Sequence, residues 1–210
     1  IIANPDIHVT PRCIRRVKDA LDKTQGAVAA SARVKDPMGG ELFSYWTLLP
    51  LWKDLLDTGL VTRRLFKAML NTPSYRLAYA GDEDCRLVDA VPGSFFMLKT
   101  GILTPGEIKE VFDKHIFLYY EEKVLGQKFR KMGLKTVLVT DESYVHAHSV
   151  SIDKSFKRIV DKQRLLHRSK LYYYKEYLGT GPAGMAAARA VLGLVLAEVG
   201  FLTVVCRMQW

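Results

Sequence analysis

Hydrophobic positions near the start of the chain predict a strand followed by a helix. Ile1–Ala3 is a short apolar strand end, and Pro5 stops it. Thr10 and Pro11 are residue types of a helix N-cap and first helical position, and apolar residues then recur at helical spacing to about Asp22. This segment therefore predicts a strand, a turn and an amphipathic helix, in that order.

Further along, strand patterns and helical patterns follow one another. Residues 27–34 predict a buried strand, because small and β-branched side chains alternate, and residues 42–75 have helical apolar spacing. Residues 87–98 predict a strand pair or one long bent strand, and residues 135–139 and 144–148 predict two short strands. This mixture predicts an α/β fold.

A helix with an acidic start lies between these strands. Apolar side chains recur at helical spacing from residue 124 to residue 132, and Gly133 ends the segment. Glu121 and Glu122 occupy its first turn, directly after a run of Phe and Tyr. Acids there stabilise the helix dipole by ~0.3–1 kcal/mol, or one serves as a general base worth ~100- to 10,000-fold in rate. The pattern alone leaves both uses open.

The C-terminal part predicts two further helices. Residues 151–178 form a basic, aromatic helix that a Gly-Thr-Gly-Pro sequence ends, and residues 183–210 form an apolar helix. Residues 186–205 are long enough to span a bilayer, whereas Glu198 near their middle would cost ~2–3 kcal/mol there. A membrane span and a helix packed on the protein or lying in the membrane interface therefore both fit.

Composition adds a preference for anionic partners. The 210 residues include 31 Lys and Arg against 22 Asp and Glu, which gives a net charge of +9. Hydrophobic residues make up 49% of the chain, enough for the core of one large domain. Cys13, Cys85 and Cys206 are widely spaced and match neither a metal site nor a disulfide framework, which favours a reducing, cytoplasmic compartment.

The helix at residues 151–178 gathers much of the positive charge. A solvated surface, a grip on a diphosphate, an anionic membrane surface and nucleic acid all fit this charge. We favour the membrane, since each basic residue near anionic lipid contributes ~1 kcal/mol and tyrosines suit the interface. Nucleic-acid binding has only charge in its support, and we expect none. The basic residues and tyrosines are Lys154, Lys157, Arg158, Lys162, Arg164, Arg168, Lys170, Lys175, Tyr172, Tyr173, Tyr174 and Tyr177.

Four segments resemble, in order, the family-2 glycosyltransferases, of the rhamnosyltransferase-like kind. They are residues 1–6, 88–99, 112–133 and 143–151. Members of this family are inverting enzymes with the GT-A fold that build bacterial surface polysaccharides. The resemblance implies that residues 1–150 are the second half of a GT-A catalytic domain, incomplete because its N-terminal strands are missing, and followed by C-terminal helices. We therefore expect a fragment.

The resemblance assigns catalytic roles to the acid pair. The family usually has Glu-Asp here, and its second acid is taken as the base that deprotonates the acceptor hydroxyl. In this chain that acid is Glu122, and Glu121 would orient the base or the acceptor, since helix neighbours point ~100° apart. Val124 and Lys128 stand where the family often has Asp and Arg, which indicates a subfamily.

The resemblance also implies a divalent cation, Mn²⁺ or Mg²⁺, held by Asp6 and His146. The family motif is Asp-x-Asp, and its first acid is Asn4 here, which would bind the donor together with Asp6. His148 lies on the same strand face as His146 and would contact the donor diphosphate. An Asx turn at Asp6 and purely structural histidines are the alternatives.

Gly93 and Ser94 follow a proline that interrupts the strand at residues 87–98, and we expect them to bind the acceptor, with an ordinary β-bulge as the alternative. The predicted function is inverting, metal-dependent transfer of a sugar from a nucleotide-diphosphate donor to a glycan or lipid-linked acceptor. We expect it in cell-surface polysaccharide synthesis, at the cytoplasmic face of the cell membrane. The alternative is a non-catalytic, basic, membrane-associated binding module.

Overall fold

A computed structural model describes residues 1–70, 84–116, 118–147 and 159–204. The chain divides into two compact units. Among the described residues, the first unit contains 1–48, 84–115 and 121–147, and the second contains 49–70, 116, 118–120 and 159–204. Residues 49–70 therefore belong to a different unit from most of the segment 1–150.

The described residues form six strands and eight α-helices. The strands are β1 (Ile2–Ala3), β2 (Ile7–His8), β3 (Ala27–Lys35), β4 (Cys85–Val88), β5 (Phe95–Leu98) and β6 (Lys135–His146). The helices are α1 (Pro11–Lys23), α2 (Leu51–Leu56), α3 (Leu60–Leu65), α4 (Lys67–Leu70), α5 (Pro105–Glu110), α6 (Glu121–Lys131), α7 (Ile159–Glu176) and α8 (Pro182–Val204). The predicted α/β class is confirmed.

The strands of the first unit form one mixed sheet. Its order is β1-β5-β3-β6-β2, and β4 also pairs with β6. Strands β3 and β6 are parallel, and the other pairings are antiparallel. The ends of β3 and β6 therefore lie at the same edge of the sheet, where β5 begins. We call this the carboxyl edge, which is where open α/β sheets bind their ligands.

Two strand predictions need correction. Residues 135–146 form one strand instead of two, because a bulge absorbs the polar residues 140–142: Val139 pairs with Ala32, and Ser143 already pairs with Arg33. Strands β4 and β5 are separate, since β4 pairs with β6 while β5 lies between β1 and β3.

Helices cover both faces of the sheet. Thr10 caps α1 as predicted, since its hydroxyl accepts from the Cys13 N–H at 3.1 Å. Side chains of β5 alternate between two buried clusters: Phe95 packs in the cluster of α1, and Phe96 packs with Phe129 of α6. This alternation follows from the two-residue period of a strand. It fixes both helices against the strands that end at the carboxyl edge.

The predicted helical region 42–75 is only partly helical. Residues 42–50 are not helical, because their backbone bonds elsewhere: Trp46 exchanges hydrogen bonds with Ala90, and the Leu48 N–H donates to Asp89 at 2.8 Å. Helices α2, α3 and α4 follow, and residues 71–75 lie outside the described residues.

A buried ion pair holds the second unit together. Asp54 of α2 is 1% exposed and accepts from Lys170 of α7 at 3.0 Å. The hydroxyls of Tyr120 and Tyr174 donate to the same carboxylate at 2.5 and 2.6 Å. Lys170, Tyr173 and Tyr174 are buried, so these three do not lie on the solvated or membrane-facing helix surface that the sequence predicted.

Helix α8 is the apolar tail. Residues Pro182–Thr203 are long and apolar enough to cross a membrane, with mean hydropathy 1.8, and 28% of that stretch is buried. The Glu198 carboxylate accepts from the N–H groups of Leu60 and Val61, at 3.2 and 2.9 Å, at the start of α3. These bonds give the Glu198 carboxylate backbone partners within the second unit.

Candidate active site

The acid pair begins α6, as predicted, and the backbone before it is unusual. Tyr119 and Tyr120 have φ of 64° and 72°, a left-handed conformation that is rare for residues other than glycine. Two consecutive left-handed residues turn the chain sharply and place Glu121 and Glu122 in the first helical turn. Strained backbone of this kind clusters at functional sites.

Glu122 has the properties of a general base. The Gly93 N–H donates to its Oε1 at 3.4 Å. Burial, reinforced by the negative charge of Glu121, raises the pKa of Glu122 to about 7. A carboxyl with a pKa near the working pH accepts a proton far more effectively than one with an ordinary pKa near 4.5.

Glu121 is the other acid of the pair. Burial raises the pKa of Glu121 as well. Its Oε2 is buried and has no hydrogen-bond partner among the described residues. The two acids therefore form a pair of neighbouring carboxyls, each of which disfavours charge on the other.

Gly93 lies directly against the acid pair. A Cβ atom at residue 93 would stand 3.6 Å from Glu122 Oε1 and 4.0 Å from Glu121 Cγ. A side chain at residue 93 would therefore be in van der Waals contact with the acid pair, and the glycine brings the backbone close to Glu122.

Ser94 has a different position from the one predicted. Its side chain is buried, and its hydroxyl is bonded to the Tyr144 hydroxyl at 2.7 Å. Burial is the main cause that raises the pKa of Tyr144 above its usual range, and the negative charge of Glu122 adds to it. Ser94 therefore positions Tyr144 instead of presenting a hydroxyl to an acceptor.

Tyr144 was missed as a site residue by sequence reasoning, which treated it as an apolar strand position. The available signal was its spacing: Tyr144 and His146 are two residues apart on β6 and share a face of the strand.

Asp6 and His146 meet at the carboxyl edge, as predicted. Strand β2 pairs with the end of β6, with Ile7 opposite His146, and the Ala147 N–H donates to the Asp6 carbonyl at 3.0 Å. Asp6 Oδ1 and His146 Nε2 are 3.3 Å apart. The backbone of Asn4 contacts Ser94: the Asn4 N–H donates to the Ser94 carbonyl at 2.8 Å.

The Asp6–His146 pair fits a shared divalent cation. Two ligands of one ion, each about 2.1 Å from it at a right angle or wider, lie about 3 Å or more apart. No group of three or more His, Cys, Asp or Glu suited to a metal occurs among the described residues. Two protein ligands suit Mn²⁺ or Mg²⁺, which commonly take their remaining ligands from water and substrate phosphates.

Contacts join several of the predicted site residues in pairs, and neighbours in the sequence connect these pairs. Glu122 bonds to Gly93, the adjoining Ser94 bonds to Asn4 and Tyr144, and Tyr144 lies two residues from His146, which pairs with Asp6. His148 lies outside the described residues.

No family model matches this chain, and neither the curated proteins nor the solved structures include a significant match to it.

Proposed function

We propose that this protein is an inverting, metal-dependent glycosyltransferase with the GT-A fold, of the family-2, rhamnosyltransferase-like kind. It transfers a sugar from a nucleotide-diphosphate donor to a glycan or lipid-linked acceptor in cell-surface polysaccharide synthesis. The supporting observation is Glu122: a partly buried carboxyl with a pKa of about 7 that accepts from the Gly93 N–H, in the same unit as the Asp6–His146 pair.

Glu122 performs the proton transfer in this proposal. It accepts the proton of the acceptor hydroxyl as the acceptor oxygen forms a bond to the anomeric carbon and the bond from that carbon to the diphosphate oxygen breaks. The attack comes from the side opposite the diphosphate, so the configuration inverts. Glu121, whose charge raises the pKa of Glu122, increases the affinity of that base for the proton.

Asp6 and His146 hold the divalent cation in this proposal, and Asn4 binds the donor beside them. Bound there, the cation neutralises the charge that develops on the leaving diphosphate. Tyr144 lies two residues from His146 on the same face of β6, and its hydroxyl is bonded to Ser94.

We further propose that the protein works at the cytoplasmic face of the cell membrane. The net charge of +9 attracts it to anionic lipid, and α8 supplies an apolar surface, with Leu194 72% and Phe201 57% exposed.

Replacement of one carboxyl oxygen of Glu122 by an amide nitrogen tests whether Glu122 is the base. Glu122→Gln keeps the shape and an acceptor for the Gly93 N–H but cannot take up the proton, so transfer should fall by ~100- to 10,000-fold. Donor binding with Mn²⁺, measured by calorimetry in the full-length polypeptide, should persist. Turnover is followed as release of nucleoside diphosphate from a panel of sugar donors.

A matched control is Glu110→Gln, which removes an exposed carboxyl at the end of α5 and should leave turnover unchanged. Near wild-type turnover by Glu122→Gln would remove Glu122 from its role. Donor binding that is equally tight in Asp6→Ala, with and without Mn²⁺, would remove the proposed metal site.

A further inference from the structure

Helices α7 and α8 of the second unit form a groove that the proposed sugar transfer does not use. Four residues of each helix line it, at the i, i+3, i+4, i+7 spacing of one helix face: residues 164, 167, 168 and 171 of α7, and 189, 192, 193 and 196 of α8. Its volume is about 350 Å³, within the ~300–1,000 Å³ that is usual for small-ligand sites.

The groove has an apolar floor. Leu192 is buried, Leu171 and Leu196 are half-buried, and Gly193 leaves an opening between them. A Cβ atom on Gly193 would have no other atom within 4 Å. Glycine costs about 1 kcal/mol relative to alanine in a helix interior, so this position keeps space at the expense of helix stability.

The rim of the groove is positive. Arg164, Arg168 and Arg189 are exposed along it, and Arg164 also pairs with Asp161 at 3.6 Å. Three guanidinium groups beside an apolar floor complement a ligand with a hydrocarbon chain and an anionic oxygen-rich head, since arginine binds phosphate through two parallel hydrogen bonds.

A buried polar atom lies in the same groove. His167 is 7% exposed, and its Nε2 has no hydrogen-bond partner among the described residues. Burial lowers the pKa of His167 to about 4, with the charge of Lys170 as the second cause, so the imidazole is neutral at pH 7. A neutral imidazole with its proton on Nε2 donates one hydrogen bond. An unpaired buried donor costs ~1–3 kcal/mol, and a ligand oxygen would recover that cost.

We infer that this groove binds a single anionic phospholipid, with one acyl chain along the leucines and Gly193 and the phosphate between the arginines. Such a site differs from adhesion to a bilayer surface, because it takes one lipid molecule into a cavity. It does not rest on sugar transfer, and Glu122→Gln should leave it unchanged.

The test uses a lipid probe below its micelle concentration. Lysophosphatidylglycerol, titrated into the full-length polypeptide by calorimetry, should bind one molecule per chain. Lysophosphatidylcholine with the same acyl chain, which is zwitterionic, should bind at least about tenfold more weakly, since each basic residue near anionic lipid contributes about a fivefold effect. Inorganic phosphate alone should show no measurable binding.

Two variants locate the site. Gly193→Trp fills the groove and should abolish lysophosphatidylglycerol binding. Gly200→Trp adds the same side chain to the same helix at a glycine that also has open space but does not line the groove, so it should bind as the wild type does. Should Gly193→Trp fail to fold, as judged by its melting curve, the double change Arg168→Gln, Arg189→Gln replaces it and should weaken binding at least about tenfold.

Three results would overturn the inference. Equal affinity for lysophosphatidylglycerol and lysophosphatidylcholine would mean that the groove does not select an anionic lipid, since both carry a phosphate and only the net charge of the headgroup differs. Binding that survives Gly193→Trp, or Arg168→Gln with Arg189→Gln, would place the lipid elsewhere. A wild-type dimer in sedimentation that Gly193→Trp converts to a monomer would show that a second copy of the chain, not a lipid, occupies the groove.

Discussion

The Glu122 carboxyl makes the proposed activity depend on pH. With a pKa of about 7, this group is half protonated at neutral pH, and only its ionised form accepts a proton. We expect kcat/KM to rise with pH through about 7 and to level off above it, measured as nucleoside diphosphate release at saturating Mn²⁺.

The position of this inflection identifies the group. Because the charge of Glu121 contributes to the raised pKa, Glu121→Gln should move the inflection to lower pH. Glu110→Gln should leave it in place. An inflection that stays near pH 7 in Glu121→Gln would show that the charge of Glu121 does not contribute to the raised pKa, whereas an inflection near pH 7 that survives in Glu122→Gln would show that another group controls the profile.

The same carboxyl should also govern stability. Its pKa is about 7 in the folded chain against 4.5 for an ordinary Glu, so between pH 4.5 and 7 the folded state holds a proton that the unfolded state has lost. Stability from this group is therefore lost as pH rises through that window. Glu122→Gln lacks this loss and should be more stable than the wild type at pH 8, by on the order of 3 kcal/mol, but not at pH 4.5.

Paired denaturant curves of the two proteins at pH 4.5 and 8 measure the difference. Comparison of the variant with the wild type cancels the opposite contribution of His167, whose lowered pKa makes stability rise with pH between about 4 and 6.5. A stability difference that does not change between the two pH values would contradict the raised pKa of Glu122.

At the scale of single residues, the sequence indicated which polar residues to consider for the site, but not which other residues they contact. Glu122, Asp6 and His146 were assigned their roles by the family resemblance, and the pattern at Glu122 alone left a structural use open. Their pairing depends on strand register, namely Ile7 opposite His146, which no local pattern contains. Ser94 was assigned to the acceptor site without knowledge of its hydroxyl partner. That partner, Tyr144, lies 50 residues further along the chain, so no local pattern indicates the contact.

Among the elements, α2 and α7 depend on the buried Asp54–Lys170 pair. Asp54→Asn removes the negative charge but leaves Lys170 buried without a counter-charge, which should cost ~3–5 kcal/mol of stability. Urea unfolding followed by circular dichroism measures this cost. The exposed pair of Asp57 with Arg63 is the matched control, and Asp57→Asn should cost ~1 kcal/mol or less.

A double change separates charge from packing. Asp54→Asn together with Lys170→Met removes both charges, keeps an amide oxygen as acceptor for the Tyr120 and Tyr174 hydroxyls, and should recover much of the loss caused by Asp54→Asn alone. Equal stability of Asp54→Asn and Asp57→Asn would show that the Asp54 network contributes no more than a surface pair does.

The boundaries of the helices and strands show which features of the fold a local sequence pattern cannot predict. Helix α1 was predictable to within a residue, because its Thr-Pro start and its apolar spacing are both local. Residues 140–142 suggested a turn, but the parallel neighbour β3 keeps β6 continuous through a bulge. The basic side chain of Lys170 suggested a surface, since its buried partner Asp54 lies more than 100 residues away.

For the whole molecule, the candidate chemistry and the basic and apolar helices fall in different units. The first unit carries the acid pair and the Asp6–His146 pair on a sheet whose carboxyl edge collects them. The second unit carries the basic and apolar helices α7 and α8. A protein that transfers sugar to a membrane-bound acceptor needs both properties, and the net charge of +9 is the feature that acts at long range.

That charge predicts how the full-length polypeptide meets a bilayer. We expect it to sediment with vesicles that contain phosphatidylglycerol, and to be released as salt rises from 0.05 M to 0.5 M, because the screening length falls from above to below ~10 Å across this range. Vesicles of phosphatidylcholine alone are the control and should bind far less of it. Glu122→Gln should sediment as the wild type does, since the base has no part in adhesion. Equal binding to both vesicle types at all salt concentrations would instead show insertion of the apolar helix α8 as the main attachment, with charge secondary.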